Sequence, residues 1–158
     1  MPRSHASHAT RRRAARLWLA ALLCAGACSE PETPESRVRA ALGELERAAE
    51  AGEVSEFRDL ISERYRDESG HDKRALADFL RFHVLAHPDG REVILRVRDV
   101  RLTSDATASV VAHAGLAGAG QGALHADAYA LDVDLALEDG AWRVTWAQWR
   151  PAAPAELL

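Results

Sequence analysis

The sequence predicts an α+β layer fold, with N-terminal helices packed in the concave face of a curved four-stranded antiparallel sheet, preceded by an export signal. Three observations carry this. The apolar residues recur with a helical period from Val38 to Val84, and the period becomes two from Val93 onward. Along the second half one strand face is consistently apolar. Once a leader is removed, about 130 residues remain, which suits one domain with a single core.

The leader comes first in the chain. Arg11, Arg12, Arg13 and Arg16 form a basic n-region, and Leu17 to Ala27 form an apolar run well short of the ~20 residues that a membrane span needs. Residues 1–27 are therefore expected to be a signal peptide. Ala25-Gly26-Ala27-Cys28 resembles the lipobox of bacterial lipoproteins, with Ala25 where Leu is usual. The resemblance implies a diacylglycerol on the Cys28 thiol, cleavage just before it and acylation of the new N-terminus. Cys24 does not fit, because Leu23 is too bulky for the cleavage position. Ser29, next to the acylated cysteine, resembles an outer-membrane address. The chain is thus expected in the bacterial cell envelope, facing the periplasm and held at the membrane by lipid.

All five charges before Cys28 are positive, so the rest of the chain holds 15 basic and 24 acidic residues, a balance of −9. Nucleic acid is excluded as a partner on that balance, because phosphate binding needs a basic footprint. Cys28 is the only cysteine beyond the signal, so the fold must rest on burial without a disulfide.

Residues 28–33 read as the lipidated cysteine and a short tether containing Pro31. Thr33-Pro34-Glu35 starts a helix, with a hydroxyl cap, a proline whose missing N–H costs nothing there, and an acid at the positive dipole end. Val38, Ala41, Leu42, Leu45, Ala48 and Ala49 form its apolar stripe, and Gly52 stops it after Ala51. A shorter helix follows with Val54, Phe57, Leu60 and Ile61 inward. Ser62 to Gly70 is polar apart from Tyr65 and reads as a loop or brief strand. Asp72 caps a third helix that carries Leu76, Phe79, Leu80, His83 and Val84 on one side and ends at Pro88-Asp89-Gly90.

Four strands complete the domain. Glu92 to Leu102 turns Val93, Leu95 and Val97 inward, and its phase slips near Asp99 as at a bulge. Asp105 to Ala114 presents Ala106, Ala108, Val110 and Ala112, and Gly115 to Gly122 links it to the next strand. Ala126 to Leu137 alternates Tyr129, Leu131, Val133, Leu135 and Leu137 against smaller and acidic residues. Asp139-Gly140 marks a tight hairpin, after which Trp142, Val144 and Trp146 continue the apolar face. The domain spans 34–151, and 152–158 reads as a flexible tail.

This element order, with Tyr65 between the helices and a closing Leu137-Glu138-Asp139-Gly140-Ala141-Trp142-Arg143-Val144, resembles the nuclear-transport-factor-2-like superfamily. That is the cone-shaped, cystatin-like fold shared with ketosteroid isomerase, and the whole chain is similar to small bacterial lipoproteins carrying such a domain. The resemblance implies a central cone cavity and a homodimer made through the sheet. It fixes no activity, because the superfamily includes isomerases, dehydratases, transport factors and accessory domains.

The candidate chemistry is sparse. His83 and His87 stand four apart on one helix, a spacing that suits a metal, but no zinc-protease Glu or third ligand accompanies them. No metal and no cofactor is expected. Gly118-Ala119-Gly120-Gln121-Gly122 joins two strands and so cannot be a phosphate loop, which must lead into a helix. Asp132 and Asp134 fall on the outer face with Arg96, Arg98, Arg143 and Thr145, as cross-strand charge pairs. Tyr65, His83, Tyr129, Trp142 and Trp146 are the expected cavity residues, with Trp149 at the rim; only His83, Tyr65 and Tyr129 could act as acid or base. The reading is a non-enzymatic binding or accessory domain for a small apolar ligand or an envelope protein. The alternative is an enzyme of isomerase or dehydratase type.

Overall fold

The computed structural model describes residues 32–88, 91–120, 123–153 and 155. The signal, Cys28 and most of the tether lie outside these residues. Thr33–Leu158 forms one compact unit. Its elements are α1 (Pro34–Ala51), α2 (Val54–Asp59), β1 (Ile61–Asp67), α3 (Lys73–Ala86), β2 (Arg91–Ser104), β3 (Thr107–Gly120), β4 (Ala123–Glu138) and β5 (Ala141–Pro151).

The helix ends form where the local chemistry favours them. The Thr33 hydroxyl accepts the Ser36 N–H at 3.1 Å, and Gly52 adopts φ 74° to close α1. Val38, Leu42, Ala48 and Ala49 are buried along its inner stripe. The Asp72 carboxylate accepts the Ala75 N–H at 2.9 Å at the start of α3. The two-residue Asp139-Gly140 turn, with φ 52° and 82°, places both residues left-handed, and this backbone twist matches that of the β4–β5 hairpin.

The sheet has five strands in the order β1-β5-β4-β3-β2, one more than the sequence suggests. The extra member is β1, which runs parallel to β5 at one edge, with Ile61 beside Val144 and Asp67 beside Ala147. Ile61, Ser62 and Tyr65 are buried in it, Glu63, Arg64 and Arg66 are not, and Asp67 is partly covered at its end. Two more differences follow from pairing. The glycine-rich Gly115 to Gly120 is not a linker: β3 continues through it, paired with β4 up to Gly120 beside Ala123. The expected bulge in β2 occurs between Val97 and Asp99. Of the further register shifts, at Leu102/Ser104, Ile61/Arg66 and Asp134/Leu135, the second bulge that matters to the site is the last, against β5, which has no marker in the sequence.

That second bulge re-phases β5. Trp142 and Val144 point to the core, then Trp146 pairs with outward-facing Asp134, and Ala147 and Trp149 turn inward in its place. The expectation that Trp146 lies on the core face is therefore corrected, and Trp149 takes the inner position. The core lies between α1, α2 and α3 and the concave face of β2 to β5, around Leu131, Val133 and Leu135.

Candidate functional site

The concave face does not fill completely. An inner cavity of about 110 Å³ is lined by residues from every layer, among them Leu42, Phe57, Tyr65, Leu80, Leu131 and Trp149. Glu46 is the one charged side chain on its wall among the described residues, and its carboxylate is engaged, accepting the Leu95 N–H at 2.8 Å. Leu76, Phe79, Leu116 and Trp149 are shared with a wider mouth of about 310 Å³, where Asp67, His71 and Tyr129 join them. Apolar walls that lead to a few polar groups at one end are the usual make-up of a small-molecule site.

The polar end is built by the β1–α3 connection. One Asp67 carboxylate oxygen accepts the backbone N–H groups of Ser69 at 2.9 Å and His71 at 2.8 Å, and the other lies 2.8 Å from His71 Nδ1. Desolvation pushes the Asp67 carboxyl upward, but these bonds and the His71 ring outweigh it and hold it below its ordinary value. Because a carboxylate only accepts, Nδ1 carries the hydrogen, and in the corresponding neutral tautomer Nε2 is an acceptor. Tyr129 meets Trp149 edge to face across the mouth, with ring centroids 6.4 Å apart.

Tyr65 is fully buried in the cavity wall, and its hydroxyl has no hydrogen-bond partner. Burial pushes its pKa up to about 12, helped by the Asp67 charge; the Trp149 indole acts the other way without completing a hydrogen bond. It stays protonated, a donor rather than a base. Tyr129 is half-buried and shifts upward for the same reasons, desolvation first and then Asp127.

The other predicted site residues lie elsewhere. His83 is half-buried on α3, with Nε2 unpartnered, and its ring lies 4.5 Å from that of His87. Burial, His87 and Arg91 lower its pKa, with Asp127 opposing. His87 Nδ1 lies 3.1 Å from the His83 carbonyl in the last turn of α3. Among the described residues no group of three potential metal ligands includes this pair. Trp142 is a core residue whose indole N–H lacks a partner. Trp146 faces away from the cavity. On the outer sheet face Asp134 accepts the Ser109 hydroxyl at 2.7 Å, and Asp132 pairs with Arg150 at 3.2 Å. Cross-strand pairing holds there, with partners other than those expected.

The sequence reading misses Asp67 and His71, and it places Trp149 at the rim, whereas Trp149 lines both the mouth and the inner cavity. For the first two the available signal was Asp67-Glu68-Ser69-Gly70-His71, an acid followed by turn residues that return a histidine to it.

No family model matches the chain, and no curated protein matches it. Solved structures do. A candidate scytalone dehydratase from Novosphingobium aromaticivorans aligns with TM-score 0.63 at 11% identity over 74% of this chain and 83% of that one. A ketosteroid isomerase-like protein from Erwinia carotovora atroseptica aligns with TM-score 0.60 at 15% identity over 79% and 99%. A domain of unknown function with a cystatin-like fold from Nostoc punctiforme aligns with TM-score 0.61 at 17% identity over 77% and 79%. These likenesses establish the cone-shaped nuclear-transport-factor-2-like fold for this chain, and the fold alone.

Proposed function

We propose that this protein is a lipid-anchored binding module of the bacterial envelope that holds a small, mostly apolar ligand in the cone. The supporting observation is the apolar cavity that opens into a wider, partly polar mouth. The inner space alone is slightly smaller than the ~150 Å³ void known to take a benzene-sized guest. Together with the mouth it reaches the lower range of small-molecule sites. The location rests on the lipobox-like Ala25-Gly26-Ala27-Cys28, and Cys28→Ala is expected to abolish labelling by palmitate and release the protein from membranes.

The cavity is tested by filling it. Ala112 is buried on its wall, so Ala112→Leu adds bulk where there is room. Residues 33–158 should take up the apolar dye anilinonaphthalene sulfonate, and the filled variant should lose that uptake while keeping its melting temperature. Equal uptake by both, or none by the parent, would overturn the reading.

A second reading, an isomerase- or dehydratase-type enzyme, is favoured by one observation, the Asp67–His71 pair at the mouth beside Tyr129. In it His71 Nε2 would take a proton from a substrate and Asp67 would orient the ring. If a folded His71→Gln variant reproduces the deletion phenotype in the host while dye uptake is unchanged, this second reading replaces the first.

A further inference from the structure

We infer that the outer face of α3 is a membrane-docking surface that turns the mouth of the cone toward an anionic lipid bilayer. This rests on the envelope location and apolar cargo proposed above. Phe79, Phe82 and Leu85 are 52%, 72% and 73% exposed, and neighbouring exposed apolar groups of this kind mark an interaction surface where single ones do not. At 100° per residue their spacing of three spreads them over roughly 120° of one helix face. The stripe begins at the mouth, because Phe79 belongs to the walls of both the mouth and the inner cavity. Its far edge carries Arg74 and Arg81, which share the single carboxylate of Asp78 and leave a net positive charge on that edge.

This is the layout of a helix that lies in the plane of a bilayer surface, with aromatic and aliphatic groups below and arginines beside the headgroups. The chain beyond Cys28 is otherwise strongly acidic, so a cationic border on its most apolar surface marks this face out. A second copy would set its own arginine edge against this one, whereas anionic lipid complements it. The tether keeps the domain near the bilayer without selecting a face. From Cys28 to Thr33, at about 3.5 Å per residue, the chain reaches under about 20 Å, so an anchored domain stays at the bilayer. An apolar ligand could then pass from the acyl layer along Phe82 and Phe79 into the mouth without crossing water.

The test uses residues 33–158, a compact unit with its own core, so that the anchor does not contribute. Co-sedimentation is measured with phosphatidylglycerol–phosphatidylcholine vesicles and with phosphatidylcholine alone. The parent should bind the mixed vesicles and bind the neutral ones more weakly. The double variant Phe82→Asp, Leu85→Asp should bind at least about tenfold more weakly with unchanged thermal unfolding, since both side chains are already in water. Arg74→Glu with Arg81→Glu should remove the preference for anionic vesicles. The proposal is overturned if the parent does not bind, or if the double variant binds as the parent does. It is also overturned if the parent sediments as a dimer that the double variant dissolves, because a second copy then covers the stripe. Dye uptake measured on the same variants keeps the two ideas apart. Vesicle binding lost with uptake intact removes only the docking surface, and vesicle binding kept with no uptake removes only the cavity.

Discussion

At the β4–β5 turn, Glu138 accepts the Ser62 hydroxyl at 2.9 Å and the Arg64 guanidinium at 2.6 Å, while Arg143 and Arg37 donate to the Glu138 and Gly140 carbonyls at 2.9 Å each. Trp142 and Leu135 are buried just beneath. At the other end of the same strands, the mouth has unfilled space and an exposed Phe79, and the Tyr65 hydroxyl in the adjoining cavity wall lacks a partner. One end of the cone is tied and filled, with the Trp142 indole N–H its one unpartnered buried side-chain group among the described residues, and the other is left with volume. The groups that could meet a ligand therefore lie where their loss should cost little stability.

The largest test of this contrast is Leu135→Ala, which empties a site 2% exposed near the closed end. It should lower the unfolding free energy by about 2 to 5 kcal/mol, and Phe79→Ala at the mouth by under about 1 kcal/mol, both from denaturant melts. Equal losses would break the comparison.

Glu138 gives the next effect. The Arg64 hydrogen bond holds its carboxyl below the ordinary range, with Ser62 and the arginine charges assisting against desolvation. A depressed acid contributes stability that is present above the ordinary value of about 4.3 and lost as the pH falls through the folded value. Glu138→Gln should therefore cost about 1 to 2 kcal/mol near neutrality, and the difference from the parent should shrink in acid. A constant difference across that window would show that the carboxylate does not hold the turn.

At the open end His83 is shifted the other way in charge terms, since burial favours its neutral form. The unfolded chain then binds more protons below the ordinary value of about 6.5, so stability falls with pH from there to the folded value. His83→Gln should remove that part of the slope, by under about 1 kcal/mol between about pH 7 and pH 5. An unchanged slope would place the imidazole in water. The smallest effect is expected at Tyr65, whose hydroxyl has no partner to lose. Tyr65→Phe should leave stability unchanged or raise it by up to about 1 kcal/mol. A clear loss would mean that the hydroxyl is bonded, with water the first candidate.

What could be read in advance followed from local chemistry. Thr33, Gly52, Asp72 and Asp139-Gly140 mark their caps and turn whatever surrounds them, and the alternation of Leu131, Val133 and Leu135 fixes a face. The misreadings came from tertiary pairing. β1 has only Ile61 and Tyr65 as apolar residues, four apart, because it is an edge strand in which Glu63, Arg64 and Arg66 are not buried and Ser62 is covered through a bond to Glu138. Gly115 to Gly120 looks like a linker, yet Gly118 meets a packing need: a Cβ there would lie 2.3 Å from the His87 ring. The exchange of Trp146 for Trp149 follows from one extra residue in β5 near Thr145, at a bulge with neither glycine nor proline to announce it. The mouth pair was hidden because Asp67 and His71 find each other through a turn that is itself set by β1.

The edge position of β1 also orders events in time. Ser62 and Glu138 are 76 positions apart, and the β1–β5 ladder joins segments at the two ends of the domain. Loop closure on that scale is a slow step, and every sheet contact of β1 waits for the last strand. A nascent chain that lacks β5 has no edge for β1 to dock on, so the domain cannot lock while its C-terminal segment is still being made.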